Sequence, residues 1–296
     1  MLQRLGRFKK EVLILYIAIC DSGVDYTHPD LADNIWNNTD ETVNGVDSDG
    51  NGFIDDIRGW DFINNDNDPM DDLWHGTRCA GIACAVTNNK LGVAGVCWNC
   101  KIMPVKMIDS EGWETDEAAA NGIIYAVNNG ADIISMSWGG LPSYPLTEDA
   151  LNYAASNGVI LIAAAGNGNS NADFYPAGFD NVISVAATDN EDKKFRQSNW
   201  GDWIDIAAPG DEIYTTTING DYDFLSATSA AIPIVAGVAG LILSRSNRLS
   251  TSEVKSIICE NVDPYDSEYY IGKGRVNAYK ALSAINTPPD TSLYIW

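Results

Sequence analysis

The feature that most constrains this chain is a repeated switch between short, wholly apolar runs and stretches of helical periodicity. The first such run, Val12-Leu13-Ile14-Leu15-Tyr16-Ile17-Ala18-Ile19-Cys20, has no polar face and stops at Asp21-Ser22-Gly23. That pattern suits a parallel strand buried on both sides. Arg4, Arg7, Lys9 and Lys10 give it the outline of a signal peptide, but it is only nine residues long and lacks a small-residue cleavage site. Further strands are predicted at 101–107, 132–137, 159–165, 182–187 and 203–208, and helices at 117–128, 149–156, 228–244, 251–259 and 276–285. Asn219-Gly220 marks a hairpin turn. The alternation predicts an α/β fold of three layers, a doubly wound, mainly parallel sheet with helices on both faces. One domain is expected over residues 1–286, followed by a short tail, 287–296. No apolar run approaches the roughly 20 residues of a membrane-spanning helix.

In such sheets functional groups collect at the carboxyl ends of strands. Asp21 follows one strand, Ser137-Trp138-Gly139-Gly140 another and Gly166-Asn167 a third. Near the end, Ala227-Thr228-Ser229 opens the apolar helical run. A serine there faces unpaired N–H groups and the positive end of the dipole, which suits a nucleophile; an ordinary N-cap serine has the same placement. The chain has only two histidines, and His75 heads a small-residue helix start, His75-Gly76-Thr77-Arg78-Cys79-Ala80-Gly81.

These four motifs, in this order, resemble those of the subtilisin-like serine proteases, the subtilases. Asp21-Ser22-Gly23-Val24-Asp25 is similar to the aspartate motif and His75-Gly76-Thr77 to the histidine motif. Ala164-Ala165-Gly166-Asn167 is similar to the oxyanion segment and Ala227-Thr228-Ser229 to the serine motif. The likeness runs from about Val12 to Ala284. It implies a serine endopeptidase in which Ser229 attacks the scissile carbonyl, His75 moves the proton, Asp21 orients the imidazole and Asn167 donates to the oxyanion. It also implies that Ser137, Trp138 and Gly139 pair with an extended polypeptide substrate. Ala164, Ala165 and Gly166 would then face them across the first specificity pocket.

Departures from the family motif lie around the serine. Ala227 stands where the family has glycine, Ala230 replaces methionine, Ile232 replaces serine or threonine, and Ile234 replaces histidine. If that glycine has a positive φ, Ala227 is strained. These changes leave a second reading, a catalytically weak or inactive pseudoprotease acting as a binding protein. Cys79, one turn beyond His75, resembles the free thiol of one branch of the family, which implies inhibition by mercurials. A Gly-x-Ser-x-Gly elbow, the mark of α/β-hydrolase esterases, is absent.

The net charge of −23 argues against a nucleic-acid partner. Much of it lies between Asp40 and Asp72, opposed only by Arg58, and such crowding repels unless cations bind. Asp47, Asp49 and Asn51 place oxygens at positions 1, 3 and 5 of a calcium-type loop with Gly52 at 6, the Phe53 carbonyl at 7, and Asp55 and Asp56 beyond. Asp61, Asp66 and Asp68 with the Met70 carbonyl resemble a second calcium site of the family. Asp30 and Asn89, with the carbonyls of Val86, Leu91 and Val93, resemble a third. Two or three structural Ca2+ ions are therefore expected. Cys97-Trp98-Asn99-Cys100 could close a tight disulfide or act as a redox pair, while Cys20, Cys79, Cys84 and Cys259 sit in apolar runs as buried thiols. The resemblance further implies a secreted monomer made with a propeptide, which is not seen in this chain, and no membrane partner.

Overall fold

The computed structural model describes residues 14–141, 144–246, 249–265 and 267–285. The chain enters through strand β1 (Tyr16–Asp21), then β2 (Trp60–Asp61), helix α1 (His75–Cys84), β3 (Lys101–Lys106), α2 (Asp116–Asn128), β4 (Ile133–Met136) and α3 (Pro145–Ser156). It continues through β5 (Ile160–Ala164), β6 (Val182–Thr188), β7 (Ile206–Pro209), β8 (Ile213–Thr217), β9 (Asp221–Leu225) and α4 (Thr228–Arg245). It closes with α5 (Thr251–Glu260), β10 (Val262–Asp263), β11 (Arg275–Val276) and α6 (Ala278–Ser283). Nine strands form one sheet in the order β10-β11-β7-β6-β5-β4-β1-β3-β2, parallel except for the β10–β11 pair. β8 and β9 form a separate antiparallel hairpin.

β1 explains why its run has no polar face. Ile17 and Ile19 pack into the layer of α1, α4, α5 and α6, while Ala18 and Cys20 pack into the layer of α2 and α3. Successive side chains point to opposite faces, and both faces are covered. The strand begins at Tyr16 and not at Val12, which lies outside the described residues with Leu13. Tyr16 pairs with Lys101, the first residue of β3, so the ladder starts where the neighbour does. The strand expected over 203–208 also starts late, at Ile206. The Asp205 carboxylate takes the Ser184 N–H at 3.0 Å, so the β6–β7 ladder forms only from Val185 and Ile206 onward.

α4 is long and apolar enough, by length and composition, to cross a membrane. Its side chains from Ala230 to Ile242 are instead mostly buried beneath the sheet, so its apolarity serves the core. Cys97 and Cys100 are disulfide-bonded, and the other four cysteines are free and buried. The expected tail, 287–296, lies outside the described residues.

Candidate active site

Three elements deliver the candidate catalytic side chains to one place. β1 ends on Asp21, α1 begins on His75, and Ser229 is the second residue of α4. His75 Nδ1 lies 2.7 Å from Asp21 Oδ1, and Asp21 is almost fully buried. That contact fixes the tautomer with the proton on Nδ1 and leaves Nε2 as the basic nitrogen. Burial pulls the His75 pKa down, but the charge and hydrogen bond of Asp21, helped by the charge of Asp71, outweigh it and hold it above the ordinary imidazole value.

Ser229 Oγ donates to the Ser137 carbonyl at 3.3 Å, and no bond to His75 is formed among the described residues. Catalytic hydrogen bonds are commonly loose in a free enzyme and tighten around substrate. The main chain of Ser229 has its own explanation. Pro233 has no N–H to give to the carbonyl four residues back. The freed Ser229 carbonyl accepts from Ser137 Oγ at 3.3 Å and from Cys79 Sγ at 3.6 Å. Cys79 is buried with its sulfur within 4.8 Å of the ligand atoms of Asp21 and His75, and burial raises its pKa, keeping it a thiol.

Asn167 follows β5 across Gly166, whose φ of +96° bends the chain out of the sheet. Its Oδ1 accepts from Thr228 N at 3.0 Å and from Thr228 Oγ1 at 2.8 Å. The amide is thereby oriented, and its Nδ2 has no partner among the described residues. The Ser229 N–H belongs to the first turn of α4, where backbone donors lack intrahelical acceptors. Ala227 caps that turn with φ +104° and ψ −174°, a region that suits glycine. The strain expected at this position is therefore present.

The candidate substrate-binding segments face each other. The main chain of Gly140 pairs with Tyr175, and Trp138 is anchored by its indole N–H to the Cys20 carbonyl at 2.9 Å. A Cβ on Gly139 or on Gly166 would lie within 3.0 Å of the Phe174 ring, so this ring stands between the two walls. Ala164 and Ala165 are buried behind Gly166.

The acidic residues divide into groups. Asp47 and Asp49 come together with Glu41, their ligand oxygens all within 4.8 Å of one another. Backbone N–H groups bonded to them, from Gly52 to Asp47 and from Thr42 to Glu41, hold both pKa values low. Asn51 bonds to Asp49 and Asp56, and Asp56 is buried against Tyr125 and Asn38. Asp55 turns away and accepts from the N–H groups of Asn44 and Gly45, whereas the Phe53 ring packs among Trp60, Phe62 and Tyr125. Asp61 accepts from Ile63, Asn64 and the Asn64 side chain, Asp66 from the Asp68 N–H, and Asp68 from Tyr26. No three of the carboxylates among Asp61, Asp66 and Asp68 form a tight trio in the described residues. The Pro69–Met70 backbone passes against Gly23. Asp30 is fully buried, and the loop from Val86 to Val93 wraps it. It accepts from Asn89 Nδ2, from Val93 N at 2.9 Å and from Tyr222 at 3.2 Å, and its carbonyl accepts from Val86 N; Leu91 N bonds Asn89 Oδ1.

Sequence reasoning missed several residues here. Asp71 was one carboxylate in an acidic run. It is buried at the start of α1 and accepts from Ser22 Oγ, Leu73 N, Trp74 N, Thr77 N and Thr77 Oγ1. The signal was its position one turn before a helix start, where a carboxylate is favoured. Trp74, with φ +94°, lies beside the His75 ring and under the Arg78 guanidinium, 4.2 Å from its centroid. Glu41 and Phe174 carried no local signal, because only the fold brings them to their sites.

The model of the subtilase family of peptidases matches residues 15–280. Thermitase of Thermoactinomyces vulgaris is 43% identical over 267 residues, covering 90% of this chain and 88% of thermitase. The thermophilic serine proteinase of Bacillus sp. strain AK1 is 39% identical over 268 residues, covering 90% of this chain and 61% of the relative. The halolysin-like extracellular serine protease Nep of Natrialba magadii is 36% identical over 278 residues, covering 93% of this chain and 48% of the relative. With a strand-end acid, a helix-start histidine and a helix-start serine brought together on a mainly parallel sheet, this chain belongs to the subtilase family and is a serine endopeptidase.

Proposed function

We propose that the chain hydrolyses peptide bonds through an acyl-enzyme on Ser229, with His75 as general base and acid and Asp21 as its orienting partner. The observation that carries this is the 2.7 Å contact between His75 Nδ1 and Asp21, which leaves Nε2 free to act as the base. Nε2 takes the Ser229 proton as Oγ attacks the carbonyl, then gives it to the leaving amine. Water repeats the sequence in reverse roles. Asn167 Nδ2 and the Ser229 N–H receive the oxyanion; the Thr228 bonds to Asn167 Oδ1 support that orientation. Polypeptide substrates bind as an extended strand along Ser137–Gly139. The apolar lining with the Phe174 ring supports preference for apolar side chains in the pocket.

Calcium is assigned a structural role. The fit is best at Asp30, a buried carboxylate that meets only neutral donors among the described residues. A buried charge without a counter-charge is costly, and a cation removes that cost. Asp30, Asn89 and the carbonyls of Val86, Leu91 and Val93 would hold one ion, and Asp47, Asp49 and Glu41 with their loop a second. The stretch from Asp61 to Met70 is assigned a third on its oxygen-rich spacing. Action outside the cell is supported by the Cys97–Cys100 disulfide and by the extracellular relative.

The test is hydrolysis of a denatured protein in millimolar calcium, beside a Ser229→Ala control. Cleavage that disappears with Ser229→Ala is expected. Equal cleavage by both proteins, or none by the folded parent, would overturn the reading.

A further inference from the structure

Asn199 lies in the turn between β6 and β7, far in sequence from the catalytic motifs, and is buried. Its side chain and its backbone N–H are spent on one loop, while its carbonyl accepts from Ser198 Oγ. Its backbone N–H donates to the Gly166 carbonyl at 2.8 Å, and its Nδ2 donates to the Ala165 carbonyl at 2.7 Å. Its Oδ1 accepts from Gly168 N at 2.9 Å and from Ser170 N at 3.0 Å. These four bonds bracket Asn167 on both sides without touching it. The approach is close: a Cβ on Gly166 would lie 2.6 Å from Asn199 Nδ2.

We propose that Asn199 is a positioning residue for the oxyanion step, holding the backbone of residues 165–170 so that Asn167 Nδ2 is aimed at the developing charge. The proposal rests on the reading of Asn167 as an oxyanion donor. Asn167 is then fixed from two directions, its side chain by Thr228 and its backbone by Asn199. An oxyanion donor works because it is oriented before the reaction, so loosening its support weakens the transition state more than the bound substrate. Lys194 ties the same turn to the loop separately, through Asn169 Oδ1 at 2.8 Å and the Ser198 carbonyl at 3.0 Å. Loss of the Asn199 side chain therefore removes the bonds to Ala165, Gly168 and Ser170 and loosens the Asn167 end of the loop, while the backbone bond to Gly166 and the Lys194 tie remain.

The experiment is a double-mutant cycle between Asn199→Ala and Asn167→Ala, with kcat expressed per active site titrated by a fluorophosphonate. In the parent, Asn199→Ala should lower kcat by about tenfold and leave KM within about twofold. In the Asn167→Ala background the same change should move kcat by less than about twofold, because the group it positions is gone. Asn199→Asp keeps the acceptor for Gly168 and Ser170 but loses the donor to Ala165, and should fall between. If Asn199→Ala yields no titratable enzyme, Asn199→Asp carries the same cycle. Equal losses in both backgrounds, a loss carried by KM, or no loss would overturn the proposal. Asn167→Ala with undiminished kcat would instead overturn the reading of Asn167, and the role of Asn199 with it.

Discussion

As the proposed general base His75 must be neutral, and its pKa lies above the ordinary value of about 6.5 because Asp21 and Asp71 outweigh the effect of burial. The rate should therefore rise with pH along a limb whose midpoint is above 6.5. A kcat/KM profile on a neutral peptide checks this, and a midpoint at or below 6.5 contradicts it. The same shift acts on stability with the opposite sense. A raised folded pKa stabilises the native state fully below the unfolded value, and that contribution is lost as pH rises through the folded one. The pH that activates the base thus removes one stabilising interaction.

At the level of elements, the catalytic groups follow backbone turns with positive φ. Trp74 precedes α1, Gly166 precedes Asn167 and Ala227 precedes α4. Glycine meets that demand in only one of the three. Ala227 sits in a region that costs a residue with a Cβ on the order of 1–3 kcal/mol, partly offset by the greater chain entropy of glycine. Ala227→Gly should stabilise the protein by about 1 kcal/mol, and equilibrium denaturation checks it; a destabilised variant would contradict the strain. The layered sheet was legible in the sequence, because both-sided burial makes strands such as Tyr16–Asp21 almost uniformly apolar; Asp21 stood out as a strand end, and His75 and Ser229 as helix starts. The β8–β9 hairpin was legible only at its turn, since Tyr214 and Phe224 are exposed and its strands are not set by the core pattern. Asn199 was not legible, and Asp71 only by its place just before a helix start. Asn199 acts by hydrogen bonds to backbone that only the fold brings near, whereas Asp71 bonds the local backbone of Leu73, Trp74 and Thr77 and only its bond from Ser22 depends on the fold.

At the scale of the whole molecule, a chain of net charge −23 must hold its acidic loops against repulsion. Bound calcium stabilises by mass action, about 2.7 kcal/mol for one site at a hundredfold excess over Kd. Chelation should lower the melting temperature and shorten the life of the activity, without an immediate loss of rate. Asp30→Ala should remove the larger part of that calcium dependence. Thermal melts with and without chelator check this, and coincident melts would contradict a structural ion. The proposed function requires the fold as a whole to make Ser229 a nucleophile, by placing it near His75, Asp21 and the oxyanion donors. Its most direct test is fluorophosphonate labelling of the native protein, with the modified residue identified by peptide mass. A single label is expected on Ser229, absent from the unfolded chain and strongly slowed in His75→Ala. Label on another serine, or equal labelling of native and unfolded protein, would contradict it.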